Sequence, residues 1–101
     1  MGHRLDLSKV LHEVLGSDNV YFQPPPSLKM KFPCIVYERV RINTRFADNS
    51  PYQLIDVYQV THIDTNPDSE VPKKIANLDR CVFERFYVND NKYYNVFRIT
   101  N

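Results

Sequence analysis

The chain has only two glycines, Gly2 and Gly16. Loops that hold phosphate groups through backbone N–H groups are glycine-rich, so a nucleotide-binding loop is hard to build from this sequence. Thirteen basic and twelve acidic residues leave a net charge of +1 and are spread along the chain. The composition therefore does not predict nucleic-acid binding through bulk positive charge.

Cysteine and histidine are also scarce, and neither is clustered. The chain contains Cys34, Cys81, His3, His12 and His62. Zinc sites need these residue types at close spacing, so we predict no metal site. Both cysteines lie in apolar segments, which predicts reduced, buried thiols of a cytosolic protein. No signal peptide and no apolar run long enough to cross a bilayer is found.

No catalytic residue set follows from the spacing of reactive side chains. A nucleophile with a base, a paired acid and base, or a metal cluster is missing, so we predict no catalytic residue, no cofactor and no enzyme. Tyr58, His62 and Asp64 share one face of a predicted strand, near Asp56. We interpret them as a hydrogen-bonded surface group. A deep pocket lined by His62 with a strongly shifted pKa would instead favour an enzyme.

The aromatic residues are abundant, with seven Tyr and six Phe, although Trp is absent. This composition suits half-buried sheet surfaces and subunit contacts. A chain of 101 residues is expected to form a single domain, 1–101, because two smaller units would each lack a sufficient core.

Two helices are predicted. The first has one apolar face and ends at Gly16 in the left-handed conformation. That face consists of Leu7, Val10, Leu11, Val14 and Leu15. The second follows the turn-forming segment 64–69, with Pro72 in its first turn. Its apolar face consists of Val71, Ile75 and Leu78.

A long antiparallel hairpin is predicted between the helices, from strands at 33–43 and 52–63 and a turn-rich loop at 43–51. In the first strand, alternation places Cys34, Val36, Val40 and Ile42 on the buried face and Tyr37, Arg39 and Arg41 on the outer face. The candidate interface residues are Arg39, Arg41, Arg45, Phe46 and Tyr52. Two interpretations remain open for the arginines, a solvated strand face and a contact with a partner or with DNA.

The closing hairpin joins strands 81–88 and 92–100 through Asn89, Asp90 and Asn91, which tolerate positive φ. If Tyr93, Tyr94 and Phe97 were exposed, they would be able to stack on nucleic-acid bases. Aromatic residues at alternate hairpin positions more often form core and cross-strand pairs.

The predicted fold class is α+β, an antiparallel or mixed β-sheet of about four strands with two helices packed on one face. The elements follow the order helix, hairpin, helix, hairpin, and a further short strand is possible at 19–22 before the proline triplet. Such a sheet has an open edge, which must be protected or must pair with another chain. Oligomerisation through sheet edges is therefore expected.

Three sequence blocks carry a resemblance to a known family. They are QPP-x-x-x-K-M-x-(F/Y)-P at 23–33, YQVT-x-ID-x-(N/D)-PDSE at 58–70, and the aromatic hairpin with VNDN at 88–91. With the amphipathic first helix, they resemble the small tail-terminator or tail-completion proteins of long-tailed phages of Gram-positive bacteria. The resemblance covers nearly the whole chain.

The resemblance implies a virion protein of the head–tail junction, assembled in the host cytoplasm as a homo-oligomeric ring, a hexamer. Its partners would be the tail tube protein and the head connector or completion protein, and DNA would pass through the lumen without specific binding. It implies no membrane contact. The alternatives are a head-completion or connector protein of the neck and a small α+β nucleic-acid-binding regulator.

Overall fold

The computed structural model describes the backbone of residues 4–47 and 50–100, and the side chains of residues 6–41 and 56–100. Within these residues the chain forms two helices and five strands. They are α1 (Arg4–Leu15), β1 (Val20–Phe22), β2 (Cys34–Ala47), β3 (Ser50–Asp64), α2 (Val71–Ala76), β4 (Cys81–Asn89) and β5 (Lys92–Thr100). The strands form one mixed sheet in the order β1-β2-β3-β5-β4. The prediction of an α+β fold with two helices and a mixed sheet is confirmed.

The number and order of the strands correct the prediction. The sheet has five strands instead of about four, because β1 precedes the long hairpin and pairs in parallel with β2. In this pairing Val20 lies opposite Ile35 and Phe22 opposite Tyr37. The predicted helix-hairpin-helix-hairpin order omits this strand. A three-residue strand is too short for side-chain alternation to identify it firmly.

Both helices pack on the same face of the sheet, because residues of α1 and α2 join one buried cluster with residues of β2, β3 and β5. Its members are Leu7, Leu11, Ile35, Tyr37, Tyr58, Val60, Ile75, Phe97 and Ile99. Burial of this apolar surface is the main stabilising contribution to a domain of this size.

α1 ends and α2 begins as the sequence predicts, but α2 stops at Ala76, before Leu78, which was assigned to its apolar face. Gly16 adopts a φ of +77°, and its N–H donates to the carbonyl oxygen of His12 at 2.8 Å. In α2, Pro72 lies in the first turn and Ile75 is fully buried. Val10 departs from the prediction, since 36% of its surface is exposed. The buried face of α1 is therefore narrower than the apolar face that the sequence pattern predicts.

The predicted faces of β2 are partly wrong. Tyr37, assigned to the outer face, is 1% exposed, whereas Val40, assigned to the buried face, is 39% exposed. Cys34 is buried as predicted. However, it lies on the face opposite to Ile35 and Tyr37, because successive strand residues alternate. Both faces of this strand therefore carry buried side chains near its start.

A bulge at Val40 explains why the alternation fails further along β2. Arg39 lies opposite Tyr58 and Arg41 lies opposite Val57. Between these two pairs β2 advances by two residues while β3 advances by one. The extra residue, Val40, shifts the pattern by one position. Arg39 and Arg41 consequently lie on opposite faces of the sheet, which corrects the prediction that they share one face.

The predicted loop at 43–51 is mostly strand. β2 continues to Ala47 and β3 begins at Ser50, and pairing runs through Asn43 with Ile55 and Arg45 with Gln53. The connection is therefore shorter than its turn-rich sequence indicates. Cross-strand pairing outweighs the weak local turn preference of these residues.

The closing hairpin forms as predicted, with strands at Cys81–Asn89 and Lys92–Thr100. Its turn residues, Asp90 and Asn91, have φ angles of 51° and 60°. Two successive positive φ angles match the type I′ turn, whose twist fits that of the two strands. Asp and Asn tolerate this conformation, and this tolerance made the turn predictable.

Replacing Asn91 by valine is expected to lower the free energy of unfolding by about 1–2 kcal/mol, because a β-branched residue is strained at positive φ. Asn91→Gly is the matched control, and it should leave the stability within about 0.5 kcal/mol, since glycine adopts this conformation freely. Urea unfolding followed by circular dichroism measures both variants. Equal stabilities for the valine and glycine variants would contradict the turn geometry.

Candidate interaction surface

Strand β4 forms one edge of the sheet, since β5 is its partner among the described strands. All but the first of its residues are exposed. Large apolar side chains are prominent among them: Val82 (66% exposed), Phe83 (51%), Phe86 (52%), Tyr87 (38%) and Val88 (56%). An edge strand also presents unpaired backbone N–H and C=O groups. This strand, called the β4 edge below, therefore offers both apolar contact and hydrogen bonding to another chain.

A bulge at Glu84 determines which face each side chain of the β4 edge occupies. Phe83 lies opposite Phe97 and Arg85 lies opposite Val96, so Glu84 is an extra residue between them. Residues directly opposite in an antiparallel pair share a face. The helix-covered face therefore carries Cys81, Phe83, Phe86 and Val88, and the other face carries Val82, Arg85 and Tyr87.

The two charged side chains of the β4 edge differ in their partners. Glu84 forms an ion pair with Nε of Arg98 on β5, which places its carboxylate on the face opposite the helices. The guanidinium of Arg85 lies 5.6 Å from the centre of the Tyr87 ring. Among the described side chains, no carboxylate forms an ion pair with Arg85.

The β2–β3 hairpin extends past the rest of the sheet. The β3–β5 pairing begins at Val57, opposite Thr100, so the preceding residues of β3 pair, among the described residues, only with β2. We call residues 41–47 and 50–56 the arm. At about 3.3 Å per residue it reaches roughly 20 Å beyond β5. The molecule is accordingly elongated, with principal dimensions of 52 × 29 × 23 Å.

The predicted interface residues lie along this hairpin, but they do not form one described cluster. Arg39 and Arg41 flank the bulge at the base of the arm and lie on opposite faces. The backbones of Arg45, Phe46 and Tyr52 belong to the arm, and their side chains lie outside the described residues. The grouping of the five side chains on one surface therefore stays a prediction.

Arg39 is held by neighbours within the sheet. Its Nε lies 3.7 Å from Oδ2 of Asp56, and its guanidinium carbon lies 5.9 Å from the centre of the Tyr58 ring. The hydroxyl of Tyr58 in turn donates to Oδ2 of Asp56 at 3.2 Å. Arg41 is exposed and lines a groove with Val82 of the β4 edge. Of the predicted interface arginines whose side chains the structure describes, Arg39 and Arg41, the latter is therefore the more accessible to a partner.

His62 is buried, which corrects the prediction of a surface group. His62 is fully buried and Asp64 is 7% exposed, and Nε2 of His62 lies 3.5 Å from Oδ2 of Asp64. Tyr58 hydrogen-bonds to Asp56 instead of joining them. The sequence placed His62 and Asp64 on one face correctly, but it did not show that α2 covers this face.

Burial also sets the protonation of His62. Loss of hydration lowers the pKa of its imidazole, and the carboxylate of Asp64 opposes this effect in part. Neither ring nitrogen hydrogen-bonds to any group in the described part of the chain. A neutral imidazole beside a carboxylate resembles a general base, but both nitrogens are buried. Protonation of His62 would place a charge in a buried site, so burial of the imidazole couples the stability of the fold to pH.

A pocket that His62 helps to line lies between β3, β5, α2 and the β4 edge. Its lining includes Asp64, Ser69, Lys73, Phe86 and Asn95. The carboxylate of Asp64 accepts the backbone N–H of Asn66 at 2.9 Å, and Ser69 Oγ accepts that of Val71 at 3.2 Å. These polar groups thus stabilise the turn that leads into α2.

The aromatic residues of the closing hairpin pair mainly with one another. Phe97 is 1% exposed, so it is not available to stack on nucleic-acid bases. Tyr93 stacks on Phe86 with ring centres 6.2 Å apart, and Tyr94 stacks on Tyr87 at 4.6 Å. Cross-strand contact therefore occupies the residues that would serve a base-stacking surface.

Both cysteines are free. Cys34 is fully buried, and its burial, together with the nearby carboxylate of Asp64, raises the pKa of the thiol to about 11. Cys81 is half-buried, and burial raises the pKa of its thiol as well. Both thiols stay protonated at neutral pH and behave as small hydrophobic groups.

Neither described helix combines the length and the apolar character that crossing a membrane requires. The chain was also compared with known proteins, and neither the protein-family models nor the curated proteins gave a match.

Proposed function

We propose that this protein is a ring-forming structural component of a phage neck, a tail terminator that caps the tail tube and joins it to the head connector. The observation that carries the proposal is the presence, in one small chain, of an arm that extends beyond β5 and of an apolar edge strand, β4, whose outer side pairs with no other described strand. The sequence resemblance supports the same function.

The arm supports assembly because a projecting two-stranded hairpin becomes more stable when another chain packs against it. Two-stranded hairpins are marginally stable in water unless a further strand or a helix packs on them. The radius of gyration is 14.7 Å, compared with about 13 Å for a compact chain of this length. A neighbouring subunit or the adjacent ring would pack against the arm.

A closed ring also requires two different surfaces on each subunit, since every subunit contacts its neighbours head to tail. The arm and the β4 edge meet this requirement. A near-neutral chain, with a net charge of +1, suits a lumen through which DNA must move, because a strongly basic lining would retain the phosphate backbone.

The first test is electron microscopy of particles from a phage that lacks this gene, scored for tail length and head attachment. Overlong, headless tails are expected, because nothing would stop the growth of the tube. Tails of normal length with detached, filled heads would instead assign the protein to head completion. Normal virions would overturn the structural function, and restoration by the gene supplied in trans is the control.

Complementation with a shortened chain tests the arm itself. Replacing residues 43–55 by Asn-Gly joins Ile42 to Asp56, which lie opposite each other, through a sequence that favours a two-residue turn. The variant is expected to keep a cooperative thermal unfolding transition, followed by circular dichroism, but to fail to restore infectious particles. Full restoration by a folded variant would show that the arm is dispensable for assembly.

A further inference from the structure

We propose that the β4 edge is a self-complementary interface through which two copies of this chain pair antiparallel about a two-fold axis in solution. The inference is separate from the proposed ring, whose contacts are head to tail. It rests on the sequence of faces and charges along β4.

The β4 edge is poorly protected against pairing. It is nine residues long, contains no proline and carries only two charged residues, Glu84 and Arg85. Short length, proline and charge are the usual means by which proteins blunt an edge strand. A β-bulge also protects an edge strand in many proteins. Here the bulge at Glu84 instead brings the side chains of two antiparallel copies onto matching faces of the sheet.

The match follows from the face that each residue occupies. In an antiparallel pair about a two-fold axis, residues opposite each other must lie on the same face. Because Glu84 is an extra residue, Phe83 and Phe86 share a face although they are three positions apart. The register that places Phe83 opposite the partner's Phe86 therefore aligns the faces of both copies.

From residue 81 to residue 88, this register places apolar side chains opposite apolar side chains and the carboxylate opposite the guanidinium. Val82 lies opposite the partner's Tyr87, and Cys81 opposite the partner's Val88, so apolar side chains meet on both faces. Glu84 lies opposite the partner's Arg85, and the two-fold axis repeats every pair. A register centred on Arg85 would place two arginines opposite each other and would mismatch the faces of their neighbours.

In the proposed dimer, the contact between Glu84 and the partner's Arg85 gives Arg85 a carboxylate partner. Glu84 already contacts Arg98, whereas Arg85 forms no ion pair with the side chains that the structure describes. In the dimer, Glu84 would lie between Arg98 and the partner's Arg85. Opposite charges that face each other across two strands stabilise the pair, and like charges destabilise it.

Pairing of this kind has a consequence for assembly. The two-fold contact uses the β4 edge of both copies, so neither copy can then offer this edge to a third chain. The dimer would protect an apolar edge before the target is met, and it would have to separate wherever the edge is used head to tail.

Sedimentation equilibrium of the purified full chain tests the dimer, and charge reversal tests its register. Arg85→Glu makes both partners of each charged pair carboxylates, and Glu84→Lys makes both partners of each pair cations. Each variant alone should raise the dimer dissociation constant about tenfold or more, because two attractive pairs become repulsive. Circular dichroism verifies that both variants fold.

The decisive sample is an equimolar mixture of Arg85→Glu and Glu84→Lys. Opposite charges then face each other twice, so heterodimers should form with nearly the wild-type dissociation constant. Lys9→Glu, an exposed change on α1, should leave dimerisation unchanged. A wild-type chain that stays monomeric, a mixture without heterodimers, or growth beyond the dimer would each overturn the two-fold register, whatever the phage phenotype.

Discussion

Replacing Phe97 by alanine is expected to lower the free energy of unfolding by about 3–5 kcal/mol. Phe97 is 1% exposed, lies opposite Val60 on β3, and meets the edge of the Phe83 ring at a centre distance of 5.5 Å. Truncation removes buried apolar surface and leaves a cavity at the middle of the sheet. Domains of this size are stable by only about 5–15 kcal/mol, so the loss is a large fraction of the total.

The partner ring supplies a matched control. Phe83 is 51% exposed, so Phe83→Ala should cost only about 1–2 kcal/mol. Guanidinium unfolding at low protein concentration compares the two variants, since dilution keeps association from contributing to the measured stability. Equal losses for the two phenylalanines would mean that the centre of the core does not lie at Phe97.

The closing hairpin could be predicted closely because its signals are local. Asp90 and Asn91 tolerate the positive φ that the turn requires, and β-branched and aromatic residues fill both flanking strands. The end of α1 at Gly16 was predictable for the same reason, because glycine adopts the left-handed conformation at little cost. Such turns and helix ends can be predicted from the sequence alone, because only a few residue types adopt the positive φ that they require.

The bulges at Val40 and Glu84 were not predictable in this way. Val40 and Glu84 each add one residue to a strand without any glycine or proline to mark the site. Side-chain alternation assumes a fixed period of two, so one extra residue reverses every later assignment. This error affected Arg39 and Arg41, which are on opposite faces and were predicted on one.

The candidate surface was predicted only in general terms. The sequence indicated an open sheet edge, but only the strand order of the structure shows that β1 and β4 form the two edges and that the long apolar one is β4. Apolar residues at successive positions, Val82 and Phe83 and then Phe86 to Val88, were the available signal. These residues indicate a strand with two apolar faces. In the structure both faces of β4 stay largely exposed.

Lowering the pH from about 7.5 to 5 is expected to destabilise the protein through His62. Burial lowers the pKa of its imidazole, so below about 6.5 the unfolded chain binds a proton that the folded chain does not. The free energy of unfolding is therefore highest above pH 6.5. It should fall with pH by up to about 1.4 kcal/mol per unit until the lowered pKa of the folded state is reached.

Urea unfolding across this pH range measures the effect, and His62→Leu should flatten the curve because the titrating group is gone. Carboxylates titrate mainly below pH 5, so they contribute little between pH 7.5 and 5. A wild-type chain whose stability does not change over this range would contradict a buried, neutral His62, and with it the packing of α2 over this end of the sheet.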